Sequence, residues 1–383
     1  MGPLLLLLAC SPDGGPDSGT SGMDTGGGDT IVDPSAPGAW AVGTDETRIT
    51  GSWGVELSVQ TWFPRADDPR TDGQGAAAVY DDMVTDPGAF SGGMADCSSP
   101  RPVVVFSHGN QGVRWQSFYL ADHLASHGVV VVAPDHAGNT FFDYDGDRMP
   151  ELVFRRPVDV ADAFDALVAR GADATDPLYG CVDPDGGYAV MGHSFGGYTT
   201  LAVAGAVIDV DAVAAVCAAE GGWLCDDVAT WAAEHPDEAV FDQSDPRARV
   251  AVALAPAGYE VLNAGLGDIA IPTMIQAGDL DATTPWETTV GPIWEALQVD
   301  PRAAAHLDGA GHYSFSDVCS FLPTVPDCDP PYRDPEEVHD LSRTLALAWM
   351  RWADGDETMA AWLPPPGDER LSGWETGESP GVQ

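Results

Sequence analysis

Runs of apolar residues with no polar break recur through the middle of the chain. Val103-Val104-Val105-Phe106 and Val129-Val130-Val131-Val132 leave no face for water, the mark of strands covered on both sides in a parallel sheet. Between them Phe118, Leu120 and Leu124 stand at helical spacing over 116–127, closed by Gly128 as a C-cap. The alternation then repeats. The pattern predicts a helix over 158–168, a strand over 188–191, a helix over 196–207, and strands over 213–217, 250–254 and 273–277. A helix over 285–297, a strand over 303–307 and a last helix over 336–352 complete it. Ahead of this series, 48–63 alternates apolar and polar positions (Ile49, Trp53, Val55, Leu57, Val59), as a hairpin or two edge strands would. Strand and helix in turn predict an α/β fold: a mostly parallel central sheet with helices on both faces.

Of 383 residues, 44% are hydrophobic. That is enough to bury a sizeable core, and at ~150 residues per domain it leaves one large core with insertions competing with two domains. Sixty acidic side chains face sixteen basic ones, every one an Arg, for a net charge of −44. With no positive surface to displace phosphate counterions, nucleic acid is a poor partner. Anionic lipid would be repelled too, so membrane attachment would need an anchor instead of a basic patch. The N-terminus suggests one. Leu4 to Ala9 is too short to span a bilayer, but Leu7-Leu8-Ala9-Cys10 resembles the lipobox of a bacterial lipoprotein signal, in which Cys10 would be freed and acylated. On this reading 1–10 is an export signal and 11–47 a flexible, low-complexity tether. The protein would be an outer-membrane or cell-surface lipoprotein, or otherwise periplasmic or extracellular.

Cysteine usage points to the same compartment. Beyond Cys10 stand Cys97, Cys181, Cys217, Cys225, Cys319 and Cys328. The short separations of 217/225 and 319/328 favour local loops and leave Cys97 with Cys181 as a third disulfide. Zinc is the rival use, but no Cys-x-x-Cys pair offers clustered ligands, so no metal site is expected.

Chemistry enters at Gly192-His193-Ser194-Phe195-Gly196. A Gly-x-Ser-x-Gly pattern needs a structural context before it counts, and the chain carries its own control. Gly377-Glu378-Ser379-Pro380-Gly381 also matches, yet it follows no strand, and Pro380 has no N–H where an oxyanion donor is required. The Ser194 copy follows the strand over 188–191 and opens a helix, where a strained turn would lift the hydroxyl above the sheet as a nucleophile. The second oxyanion donor must come from elsewhere. Ser107-His108-Gly109-Asn110-Gln111-Gly112 follows a buried strand, so the backbone N–H of Asn110 is expected beside that of Phe195, with His108 as a structural neighbour. A base and its orienting acid should follow in chain order. Gly278-Asp279-Leu280-Asp281 leaves the strand over 273–277, and Gly309-Ala310-Gly311-His312 leaves the strand over 303–307, so His312 is the expected base. Either Asp279 or Asp281 could reach it.

Taken together, Phe106-Ser107-His108-Gly109, Leu124-Ala125-Ser126-His127-Gly128, Ala133-Pro134-Asp135-His136, Arg156-Pro157-Val158-Asp159-Val160, Gly192-His193-Ser194-Phe195-Gly196-Gly197 and Gly311-His312-Tyr313-Ser314-Phe315 resemble one group of α/β-hydrolase families. These are the platelet-activating-factor acetylhydrolases and predicted dienelactone hydrolases, with bacterial cutinase and polyester hydrolase relatives. The likeness covers about residues 48–352. It implies an α/β-hydrolase fold and a serine carboxylesterase that needs no cofactor, acting on small-molecule, lipid or polymer esters. Genuine dienelactone hydrolases use a Cys nucleophile, and here the position is Ser194. In the resembling families the acid lies in Gly-x-x-Asp-x-x-x-Pro, met by Gly278, Asp281 and Pro285, which favours Asp281 and leaves Asp279 to accept loop amides. Catalytic Ser194, Asp281 and His312 with the Asn110 and Phe195 amides form the expected site. The rival outside enzymes is a surface binding protein that keeps the fold without turnover.

Three features stay open on the sequence. Asp143-Tyr144-Asp145-Gly146-Asp147 reads as a solvated loop or part of a calcium loop. Residues 218–247, rich in carboxylates around Trp223, Trp231 and Phe241, form a cap over the site or an insertion packed on the fold. The end of the chain, 353–383, is Pro-, Gly- and charge-rich and is expected to be mostly disordered.

Overall fold

The computed structural model describes residues 32–71, 73 and 75–377. Cys10 with its lipobox and the Ser379 motif lie outside the described residues. In chain order the strands are β1 Val42–Thr50, β2 Glu56–Pro64, β3 Ala77–Tyr80, β4 Val84–Ser91, β5 Val103–Ser107, β6 Val130–Pro134, β7 Tyr188–His193, β8 Ile208–Asp209, β9 Val240–Phe241, β10 Ala248–Leu254, β11 Thr273–Gly278, β12 Arg302–Leu307 and β13 Leu371–Thr376. The helices are α1 Phe118–Ser126, α2 Met149–Ala172, α3 Phe195–Val203, α4 Val210–Glu220, α5 Cys225–Glu234, α6 Tyr259–Leu262, α7 Gly291–Ala296, α8 Val318–Phe321 and α9 Pro335–Ala353.

Eleven strands form one sheet in the order β13-β12-β11-β10-β7-β5-β6-β2-β1-β4-β3. The six from β12 to β6 are parallel to one another. Their unbroken apolar runs follow from burial on both faces. Val103, Val105, Val130 and Val132 join the core beneath α2 and α3, while Val104, Phe106, Val131 and Ala133 join the core beneath α1 and α9. The alternating stretch after residue 48 is the antiparallel pair β1 and β2, with Ile49 opposite Leu57.

Four expectations need correction. Residues 213–217 are not a strand but the middle of α4, whose N-cap Asp209 accepts the Asp211 and Ala212 amides. An Ala- and Val-rich run this short has no periodicity that separates strand from helix, and here the cap decides. The helix expected over 158–168 begins nine residues earlier, because Pro157 does not start α2 but sits inside it. An internal Pro cannot donate to the carbonyl four residues back, and that carbonyl, on Val153, accepts the Tyr198 hydroxyl at 3.0 Å instead. The stretch assigned to a tether, 11–47, gives up its last part to β1, which already pairs from Val42 onto Pro64. The tail assigned to disorder contains β13, which pairs antiparallel to β12 and packs Leu371 and Trp374 against the core.

The six cysteines form Cys97–Cys181, Cys217–Cys225 and Cys319–Cys328, separated by 84, 8 and 9 residues. Loop-closure entropy ranks them. Replacing Cys97 and Cys181 together by Ser is expected to cost about 4–5 kcal/mol, and either short-loop pair about 2–3 kcal/mol. Urea unfolding of the three double variants checks the ranking. Equal losses would mean that loop closure is not what these bonds supply.

Candidate functional site

Four loops meet at the carboxyl edge of the parallel strands, the edge where open α/β sheets leave a crevice. They follow β5, β7, β11 and β12. The turn after β7 holds Ser194 at φ 58° and ψ −116°, a conformation that a non-glycine residue adopts only under strain. Its surroundings hold it there: the Ser194 amide donates to the Leu254 carbonyl at 2.9 Å, and its carbonyl accepts the Ala257 amide at 3.1 Å. The two flanking glycines are steric requirements. A Cβ at Gly192 would overlap the Gly196 carbonyl, and one at Gly196 would overlap the Ser107 carbonyl.

The hydroxyl raised by this turn meets His312 from the loop after β12, with Ser194 Oγ 2.8 Å from His312 Nε2. On the other side of the ring, Nδ1 lies 2.8 Å from Asp281 Oδ2. All three side chains are buried: Ser194, Asp281 and His312 are 8%, 6% and 4% exposed. Oδ1 of Asp281 accepts the amides of Thr283 and Thr284, each at 2.8 Å, and Oδ2 accepts the Thr284 hydroxyl at 2.8 Å. Burial pushes this carboxyl up, but the His312 hydrogen bond and charge, with the Thr284 donors, outweigh it and hold it below the usual carboxylate value. Asp279, two residues earlier, is exposed. The loop amides expected to bind Asp279 bind Asp281.

The turn after β5 closes with the Gly112 amide on the Gly109 carbonyl at 3.0 Å and leaves Asn110 beside Ser194 on the wall of two adjoining cavities. Phe195 is the first residue of α3, so its amide has no carbonyl a turn earlier in the helix to bind. His108 is fully buried beneath, with Nε2 accepting the His136 amide at 3.0 Å.

Sequence reasoning missed a second layer that aims these loops. Burial and the neighbouring His312 charge push His193 down to about 3, so its ring stays neutral. One nitrogen faces Gln116 Nε2 at 3.1 Å, and the other lies 2.8 Å from the His312 carbonyl. The Nδ1 atom therefore accepts from the amide and Nε2–H donates to the carbonyl. Gln116 in turn accepts the Gly109 amide at 3.0 Å. One chain of bonds thus links the β5 turn, the β7 turn and the His312 loop. Arg156, buried and 4.4 Å over the Phe195 ring, donates to the His108 carbonyl and to Asn139, whose amide donates to Asn110 Oδ1 at 2.7 Å. The signal for His193 was its place inside the Ser194 motif, where only the serine was read.

The larger cavity, about 620 Å³, runs from Ser194 under the loop after α4. The smaller, about 320 Å³, runs from Ser194 and His312 past Phe141, Phe142 and Phe321. Within 218–247 the two readings divide by residue: Gly221, Gly222 and Trp223 line the larger cavity, while Trp231 of α5 stacks 4.6 Å from Phe154 of α2. Asp143 accepts the Gly138 and Thr140 amides at 2.8 and 3.0 Å, so its carboxylate braces its own loop. Trp286 packs 3.9 Å from His306.

Residues 83–142 are similar to the platelet-activating factor acetylhydrolase, isoform II family. Over 264 residues, 68% of the chain, it is 25% identical to cutinase 2 of Thermobifida cellulosilytica, spanning 72% of that protein. Over the same length it is 25% identical to cutinase cut1 of Thermobifida fusca, spanning 59% of it, less than two thirds of that relative. The fold, with its mostly parallel sheet covered on both faces, is the α/β-hydrolase fold.

Proposed function

We propose that the protein is an exported serine carboxylesterase that cleaves its substrate through an acyl-enzyme intermediate. The observation that carries the reading is the unbroken line of two 2.8 Å contacts from Ser194 Oγ through His312 to Asp281. Ser194 Oγ attacks the ester carbonyl and His312 Nε2 takes its proton. The tetrahedral intermediate collapses, the C–O bond to the alcohol breaks, and the alkoxide leaves with that proton. Water then repeats the sequence on the acyl-enzyme and releases the acid. Asp281 holds the imidazole in the tautomer that can accept from Ser194, and the Asn110 and Phe195 amides receive the oxyanion. No cofactor enters this scheme.

Export is supported by the three disulfides, which form and persist in oxidising compartments. No helix among the described residues is long and apolar enough to cross a membrane, and a lipid on Cys10 would supply the attachment. A second reading, a polyester hydrolase of the cutinase type, is favoured by the likeness to the Thermobifida proteins and by the exposed Phe141, Phe142 and Tyr313 at the mouth of the smaller cavity. A p-nitrophenyl ester chain-length series, set beside release from a polyester film, separates the two.

The test of the esterase reading is a fluorophosphonate probe. It should label the folded protein once, on the peptide carrying Ser194, and block ester turnover in step with labelling. Absence of labelling on protein that stays folded would leave the surface binding protein as the better reading.

A further inference from the structure

Most buried carboxylates in this fold have partners, with Asp122 Oδ1 an exception. Asp135 faces Arg114, Asp159 faces Arg155, Asp245 faces Arg247, and Asp281 faces His312. Asp86 is satisfied by the Tyr80 hydroxyl and the Gly88 and Ala89 amides. Glu260 on α6 also lacks a counter-charge, and it stands on the wall of the cavity that holds Ser194. It is 7% exposed, and Oε1 accepts the Leu224 amide at 3.2 Å. Among the described residues Oε2 has no hydrogen-bond donor, and no Arg or His lies within ion-pair distance. Oε2 is not sealed in the interior but open to the cavity, where a cation could reach it.

Glu260 lines the same cavity as Ser194. That cavity also carries Glu220 and Glu287, both exposed, and the aromatic side chains of Trp223 and Tyr259. It contains no Arg, Lys or His in its wall. The loop opposite is shaped around the carboxylate, since a Cβ at Gly222 would overlap the Glu260 side chain. Carboxylates and aromatic faces around one space are the chemistry that holds an ammonium group.

The two cavities also divide the substrate. The leaving alcohol must take its proton from His312 Nε2, and His312 lines the smaller, apolar cavity but not the larger one. The acyl arm therefore falls to the cavity with Glu260. We infer that the preferred substrates are esters whose acyl chain ends in a primary or quaternary ammonium and whose alcohol is apolar. This rests on the esterase reading of Ser194 and names its substrate class.

The test uses the whole exported chain and two p-nitrophenyl esters of equal shape, the 4-(trimethylammonio)butanoate and its uncharged counterpart, the 5,5-dimethylhexanoate. At 0.5 M NaCl, where long-range attraction by the acidic surface is screened, kcat/KM should favour the cationic ester by roughly tenfold or more. Glu260→Gln should bring the ratio close to one. That variant removes one charge out of a net −44, so general steering stays the same and only the local pairing is lost. Should Glu260→Gln fail to fold, inhibition of the unaltered protein replaces it. Butyltrimethylammonium should compete with the neutral ester, and 3,3-dimethylbutanol at equal concentration should not. Equal kcat/KM for the two esters, or a preference that survives Glu260→Gln, overturns the inference while leaving the esterase reading intact. Turnover of neither ester overturns both.

Discussion

Ser194→Ala is expected to lower kcat by roughly 10⁴- to 10⁶-fold and to leave the melting temperature close to that of the unaltered protein. The size follows from the proposed role, in which Oγ forms the acyl bond and nothing else in the cleft can take over the first half-reaction. The small thermal effect follows from the contacts. The strained turn is fixed by backbone bonds to Leu254 and Ala257, which Ala retains, and the only side-chain partner lost is His312. Hydrolysis of p-nitrophenyl butyrate, measured with thermal unfolding on the same samples, checks both halves. A variant keeping more than about a tenth of the activity would remove Ser194 from the mechanism. Ser379→Ala, in the second Gly-x-Ser-x-Gly copy, should leave turnover unchanged.

Asp281→Asn should slow turnover by up to ~10⁴ with substrate binding nearly unchanged, because an amide favours the wrong imidazole tautomer and cannot stabilise the imidazolium. Asp279→Asn, at an exposed position, should change turnover little and stability by no more than ~0.5 kcal/mol. A reversal of the two outcomes would move the acid two residues upstream. The pH dependence of stability supplies an independent sign. The Asp281 carboxyl is held below its usual value in the folded state, so its stabilising contribution is complete above the unfolded value of about 4 and lost as pH falls through the folded value. The stability gap between Asp281→Asn and the unaltered protein should therefore narrow on acidification below about pH 4. A gap that stays constant there would mean that the carboxylate gains nothing from its partners.

The residues that meet in the cleft were readable because each lies directly after an apolar run. A strand buried on both faces announces itself by composition, and the loop that follows it inherits a known place at the edge of the sheet. Ser194, Asn110, Asp281 and His312 all stand in such loops. What stayed hidden depends on partners far away in sequence. Gln116, His193 and Arg156 act through bonds that join loops from different strands, and no local pattern encodes these. The hairpin of β3 and β4 was passed over because β3 is only four residues long and Asp86-Pro87-Gly88 interrupts the apolar pattern of β4. Strand β13 was read as disordered because the Pro, Gly and charged residues around it resemble a solvated tail; the edge of β12 makes it a strand. Val213 to Cys217 failed in the opposite direction, since a short apolar run carries no period and the deciding signal was Asp209 at its start.

Strand β13 also closes a hazard. The opposite margin of the sheet ends in β3, only four residues long, too brief to template another chain. Without the last segment, the other margin would be β12, six residues of which three are alanine, with a row of free amides and carbonyls. Such a strip recruits any extended peptide, including the same strip on a sister molecule. By covering that edge β13 blocks polymerisation, and a chain shortened after the last long helix would keep its cleft yet tend to assemble edge to edge.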